Sequence, residues 1–163
     1  MYPKSGQSED MQVDSEFIPA DEFARFIDRM PEVCVEVVLR IDGRVLLARR
    51  TNEPAKGEWF WPGSRLYKGE QLLAAAHRVA AEELGIGIEI VERLGVNAHF
   101  WERSPLPGSP SRHTVNVVFL AEPAQADPDI ALNDEHSELR LVDDADTEFH
   151  PYVTRYFDEY DLP

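Results

Sequence analysis

Residues 63–86 read GSRLYKGEQLLAAAHRVAAEELGI and place a carboxylate where an apolar side chain is expected. At helical spacing Leu72, Leu73, Ala76, Val79, Ala80 and Leu84 form one stripe, and Glu83 falls inside it. Carboxylates are almost never buried unless they are paired or bound to metal. Glu83 therefore either pairs with an arginine or holds a divalent cation beside the loop at Gly63. Other groups suited to chemistry lie elsewhere in the chain. His136 sits in the acidic stretch Asp134–Glu138. A histidine near its ordinary pKa can take a proton at neutral pH, but this one reads equally as a solvated loop residue. Arg49 and Arg50 alternate across a strand, so only one of them can face a site. A base, a cation site and arginines together suit cleavage beside a phosphate group.

The elements that must position these residues follow from periodicity and turn chemistry. Residues 1–15 are polar and aperiodic and read as a flexible tail, with a single domain over 16–163. A short helix is expected with Asp21 as N-cap, with Phe23, Phe26, Ile27 and Met30 on one face, and stopped by Pro31. Val33–Leu39 reads as a buried strand, and Asp42-Gly43 as a hairpin turn into Val45–Arg50. Trp59, Phe60 and Trp61 form an aromatic run that enters the Pro62-Gly63 turn. The helix of the opening stretch ends at Gly85. Strands are expected over Ile88–Phe100, Thr114–Ala121 and Glu138–Val142. Glu102–Arg112, with Pro105, Pro107, Gly108 and Pro110, reads as a mobile loop. Pro151 opens a closing helix whose apolar face carries Tyr152, Val153, Tyr156, Phe157 and Tyr160. His99 and His113 read as structural, and His77 and His150 as surface residues.

The chain has 163 residues and a formal net charge of −15. Its three lysines are Lys4, Lys56 and Lys68, and arginine supplies the other cations. Such a surface repels nucleic acid and anionic membranes. Scattered acidic residues with little lysine suggest adaptation to high salt, against the plainer reading of an ordinary acidic protein. No apolar run reaches membrane-spanning length and the start lacks a signal-peptide pattern, so a cytoplasmic protein is expected. Cys34, the only cysteine, excludes an intramolecular disulfide and reads as a small core residue.

The spacing of Glu70, Arg78, Glu82, Glu83, Gly85 and Ile86 resembles the Nudix box, G-x5-E-x7-R-E-U-x-E-E-x-G-U, with U a bulky aliphatic residue. Ser64, Val79 and Ala80 depart from it. The resemblance implies an α/β fold, the Nudix α/β/α sandwich with a mixed β-sheet, and hydrolysis of a nucleoside diphosphate linked to another group. Within the family, residues 50–63 (RTNEPAKGEWFWPG) resemble the RTN-x-PA-x-G-x-WF-x-PG signature of GDP-mannose mannosyl hydrolases. Phe17-Ile18, Asp21-Glu22-Phe23, Gly95-Val96, His99-Phe100, His113 and Asp134-Glu135-His136 extend the likeness from about residue 17 onward.

That resemblance implies water attack on the anomeric carbon of the sugar. It places the Gly63 carbonyl, Glu83 and Glu135 on the metal and makes His136 the general base. Arg50 and Arg78 would stabilise the departing diphosphate. Phe17, Ile18 and Phe23 would line the nucleotide site across a homodimer interface, with Glu36, Arg65 and Trp101 as further substrate contacts. Val79 removes a carboxylate one turn before Glu83, so a single cation is expected, Mg²⁺ or Mn²⁺, given oxygen ligands and a diphosphate. Two departures bear on the details. Glu135 stands where those relatives have glutamine, and Glu82 where they have a small residue. Three functions follow in order: a nucleotide-sugar hydrolase acting on GDP-mannose, a pyrophosphohydrolase attacking phosphorus, and a non-catalytic nucleotide-sugar sensor.

Overall fold

The computed structural model describes residues 11–103 and 111–163. The first ten residues of the expected tail, and Pro105, Pro107, Gly108 and Pro110 of the expected loop, lie outside them. Within the described part of that tail, Asp14 forms a bridge to Lys68.

The apolar run after Pro31 becomes β1 (Glu32–Ile41), in which Cys34–Leu39 are all buried. A strand apolar on both faces must be central, and β1 is. It pairs in parallel with β6 (Arg112–Pro123) and antiparallel with β2 (Arg44–Arg50) and β4 (Gly63–Arg65). Asp42 and Gly43 both adopt positive φ, 50° and 73°, which is the type I′ turn that joins β1 to β2. The strands run β3-β2-β1-β6-β5, with β3 at Trp59–Phe60 and β5 at Ile88–Trp101. β4 pairs with β1, and β7 (His136–Val142) with β2. The sheet is therefore mixed.

Alternation along β1 feeds two cores. Val35, Val37 and Leu39 pack beneath α2 (Leu72–Leu84), against Ala75, Ala76, Val79, Ala80 and Leu84. Val38 faces the other way, with Leu47, Trp61 and residues Val153, Tyr156 and Phe157 of α3 (Pro151–Glu159). One helix on each face of a mixed sheet is the expected α/β/α sandwich. Glu36 shares the parity of Val38, so its carboxylate lies on the α3 side.

Several boundaries differ from the sequence reading. α1 (Ala20–Arg29) starts after Pro19, and Asp21 lies in its first turn, where it favours the helix dipole without capping. Of its apolar face only Ile27 is buried, while Phe26 and Met30 are exposed. Leu73 lies off the buried stripe of α2, because the face turned to the sheet is centred on Ala76, Val79 and Ala80. β7 begins two residues earlier than expected, at His136. The polar run His136-Ser137-Glu138 concealed a ladder in which His136 is paired with Arg50. His150 is half-buried and not a free surface residue: its Nδ1 accepts from Tyr152 N at 3.0 Å, capping α3, and its ring packs 5.7 Å from Phe60. Among the described residues no helix is long and apolar enough to cross a membrane.

Candidate functional site

Four elements converge on the Gly63 loop. β4 lies against β1 with Gly63 opposite Glu36. A Cβ on Gly63 would stand 2.9 Å from Glu36 Cγ and 3.0 Å from the Val35 carbonyl, so only glycine fits this approach. α2 brings Glu83 to the same place, Arg50 ends β2, and Glu135 directly precedes β7. Together with Glu82, Arg65 and Arg112 they line an open mouth.

Glu83 is 2% exposed, and neither of its carboxylate oxygens has a hydrogen-bond partner. Burial raises its pKa well above the usual carboxylate range, and Glu135 beside it raises it further; Arg50 and the Gly63 backbone pull the other way. The alternative that Glu83 is consumed by an arginine is not met. Two buried oxygens without a protein partner, next to a second carboxylate, are the donors a hard divalent cation takes. The residues present therefore fit such an ion. Among the described residues no three His, Cys, Asp or Glu side chains gather as a metal cluster; of the four glutamates that line the mouth, Glu53, Glu82, Glu83 and Glu135, only Glu83 is buried. Val79, the residue that would have added a carboxylate, is fully buried in the core.

Beside the mouth a second, smaller chamber extends on the α3 side of the sheet. Glu36, His99, Asn116 and Trp101 line it. Burial pushes the Glu36 carboxyl up to about 7, against the nearby Tyr156 hydroxyl, the hydrogen bond from Asn116 and the charge of Arg50. Asn116 Nδ2 donates to Glu36 Oε1, and Oε2 has no partner. His99 stands 3.8 Å from Glu36 Oε1 and stacks on Tyr152 at 4.1 Å. Burial first, then His150 and Arg155, lower its pKa to about 4, so the ring is neutral. The wall common to mouth and chamber consists of Arg50, Gly63, Ser64, Arg65 and Arg112.

The structure thus brings together Gly63, Glu83, Glu135, Arg50, Arg65, Phe23, Glu36 and Trp101. Four others, Phe17, Ile18, Arg78 and His136, stand apart. Phe17 and Ile18 line a separate surface groove that shares only Arg65 with the mouth, and Phe17 is 87% exposed. Arg78 lines neither cavity. Its guanidinium makes five hydrogen bonds, two to Glu70 and one each to Ser64 Oγ, Glu82 and the Arg65 carbonyl. It also stacks on Tyr67 at 3.9 Å. Arg78 therefore ties the loop to α2. His136 is buried, lines neither cavity and has no partner on either ring nitrogen. Burial and Arg50 lower its pKa, against Glu135. Sequence reasoning missed Arg112 and Asn116 and read His99 as merely structural. A lone Asn in the apolar run 114–121 was the available signal for Asn116.

The model of the NUDIX domain matches residues 28–158. The chain is 41% identical over 144 residues to the low-salt glycan biosynthesis protein Agl8 of Haloferax volcanii, covering 88% of this chain and 91% of that protein. It is 32% identical over 92 residues to an ADP-ribose pyrophosphatase of Methanocaldococcus jannaschii, covering 56% of this chain and 51% of the relative. Among solved structures it resembles a MutT Nudix hydrolase from Burkholderia pseudomallei. The TM-score is 0.60 at 29% identity, with 81% of this chain and 98% of that one covered.

Proposed function

The chain belongs to the Nudix hydrolases, and on that premise we propose that it hydrolyses a nucleotide sugar, GDP-mannose, to GDP and mannose by water attack at the anomeric carbon. Nudix hydrolases generally use divalent metal ions. Here Glu83, Glu135 and the Gly63 backbone would hold Mg²⁺ or Mn²⁺, which when bound supplies positive charge to the diphosphate.

One observation carries this reading. Beyond the arginine-lined wall lies a chamber whose groups, Glu36, Asn116 and His99, are hydrogen-bonding partners suited to sugar hydroxyls. A diphosphate at the wall then points its sugar inward. The glycan-biosynthesis name of the Haloferax relative supports a sugar-bearing substrate. Val79, buried where a further carboxylate one turn before Glu83 would stand, supports one cation and a reaction that leaves phosphorus untouched. Arg50 neutralises the departing diphosphate, and Arg78 acts only by holding Ser64 and the Arg65 carbonyl in place.

His136 is the base implied by the resemblance. Its depressed pKa keeps it neutral, and its ring nitrogens lack protein partners. Glu36 supports a second assignment: it lines the chamber, has a free oxygen and has a pKa of about 7, which suits a base at neutral pH. His136→Ala should remove the acidic limb of the pH–rate profile if histidine is the base. Loss of that limb in Glu36→Gln, with the limb intact in His136→Ala, would transfer the role.

Hydrolysis in ¹⁸O-labelled water tests the reaction itself. Label in mannose is expected. Label in phosphate would make the protein a pyrophosphohydrolase, and no turnover would make it a sensor.

A further inference from the structure

We propose that Arg112 is a phosphate-binding residue of this site, held toward the substrate by Glu32. The proposal rests on the reading that the substrate carries a diphosphate. The wall between mouth and chamber contains three guanidiniums, those of Arg50, Arg65 and Arg112, and no carboxylate. Carboxylates lie on either side of it, Glu83 and Glu135 outward and Glu36 inward. An anion that spans mouth and chamber has its favourable place between these cations.

Arg112 differs from Arg78 in what remains free. Arg78 spends its guanidinium on five protein bonds away from the cavities. Arg112 opens β6 beside Glu32 at the start of β1, and its Nη2 donates to Glu32 Oε1. Its Nε is buried without an acceptor, and Glu32 Oε2 is equally unpartnered. The pair is therefore not the two-pronged bridge that would use up the fork. Glu32 fixes the head while leaving donor capacity over. The positive charge of Arg112 also acts against that of Arg50, so the two stand close enough to repel. A diphosphate between them turns that repulsion into shared attraction.

The test uses Arg112→Met and the double variant Glu32→Gln/Arg112→Met. The double variant removes the carboxylate that the single one would leave buried and alone, and it keeps the net charge constant. Binding of Mg²⁺-pyrophosphate and of Mg²⁺ alone is followed by calorimetry. Both variants should bind Mg²⁺-pyrophosphate roughly tenfold to hundredfold more weakly, the loss expected for a charge-assisted hydrogen bond. In the double variant Mg²⁺ affinity should stay within about threefold, because the local charge balance is conserved. Equal pyrophosphate affinity in wild type and the folded double variant would overturn the assignment. So would a parallel loss of Mg²⁺ binding, which would mark a structural role. A wild type that binds pyrophosphate through Arg112 yet leaves GDP-mannose intact would uphold the assignment and overturn the sugar-hydrolase reading instead.

Discussion

Replacing Glu36 by glutamine should stabilise the metal-free protein, and by an amount that depends on pH. The carboxyl is 4% exposed and burial moves its pKa from 4.5 to about 7. Its ordinary value applies in the unfolded chain, so the folded state binds the proton more tightly. Stability from this group is full below about pH 4.5 and is lost as pH rises through about 7. Each pH unit between those values costs about 1.4 kcal/mol. The wild type therefore carries a penalty of about 1 kcal/mol at pH 5 and about 3 kcal/mol at pH 9. Glutamine does not ionise and can still accept from Asn116 Nδ2, which donates to Glu36 Oε1. For a domain of this size, about 2–4 °C accompanies each kcal/mol. Glu36→Gln should raise Tm by roughly 6–12 °C at pH 9 but only about 2–4 °C at pH 5. Thermal unfolding of both proteins in EDTA, followed by circular dichroism at pH 5, 7 and 9, measures the difference directly. Parallel Tm curves, with a constant offset across that range, would refute the idea that an ionised Glu36 is what burial penalises.

Glu83→Gln should lower kcat by about three orders of magnitude and weaken Mn²⁺ binding in a paramagnetic titration, because a buried ligand charge is lost. Glu82, exposed and tied only to Arg78, should tolerate glutamine with less than about a threefold change; a reversed ranking would sink the metal assignment. Arg78→Met strands Glu70, whose side chain is 5% exposed, and should cost about 2–4 kcal/mol in urea unfolding. A loss under about 0.5 kcal/mol would show that the loop does not depend on this tie. In a salt series from about 0.01 to 1 M the Debye length falls from about 30 to 3 Å, so a homodimer sharing Phe17 and Ile18 across its interface should form and gain activity together. Sedimentation showing a fully active monomer at low salt would dispose of the shared site.

The buried carboxylate was legible because helical periodicity is strict: Glu83 lies on the buried stripe of α2 that the spacing of its apolar residues marks out, and the Pro62-Gly63 turn marks the close approach to β1. The sandwich was legible for the same reason, through the apolar β1 and the two apolar helices. Of the arginine-lined wall, Arg50 and Arg65 were named through the resemblance, but Arg112 was not. Arg112 and Glu32 are 80 positions apart and meet only because β1 and β6 run parallel, a pairing that no local pattern encodes. His136 escaped as a strand residue because its ladder lies within a polar run, and the polarity argued for a loop. His99 looked like a core residue, and it is one: burial and proximity to Glu36 are the same fact seen from two sides.

Charge gives a reason for the proposed site to pair its arginines with a cation. The two cavities are lined by Glu36, Glu53, Glu82, Glu83 and Glu135 against Arg50, Arg65 and Arg112. With all of them ionised, five negative charges meet three positive ones, an excess of two, before any diphosphate arrives. The chain's −15 deepens that field, and Lys56 and Lys68 line neither cavity. A dication at Glu83 and Glu135 offsets the local excess, and only then can the arginines act on the phosphates without first neutralising the protein. Binding of metal and of diphosphate should therefore be mutually reinforcing, since each reduces the repulsion that opposes the other. The burial of Glu83 without a hydrogen-bond partner fits the same logic: its carboxylate is costly in the empty protein and favourable once the cation shares it.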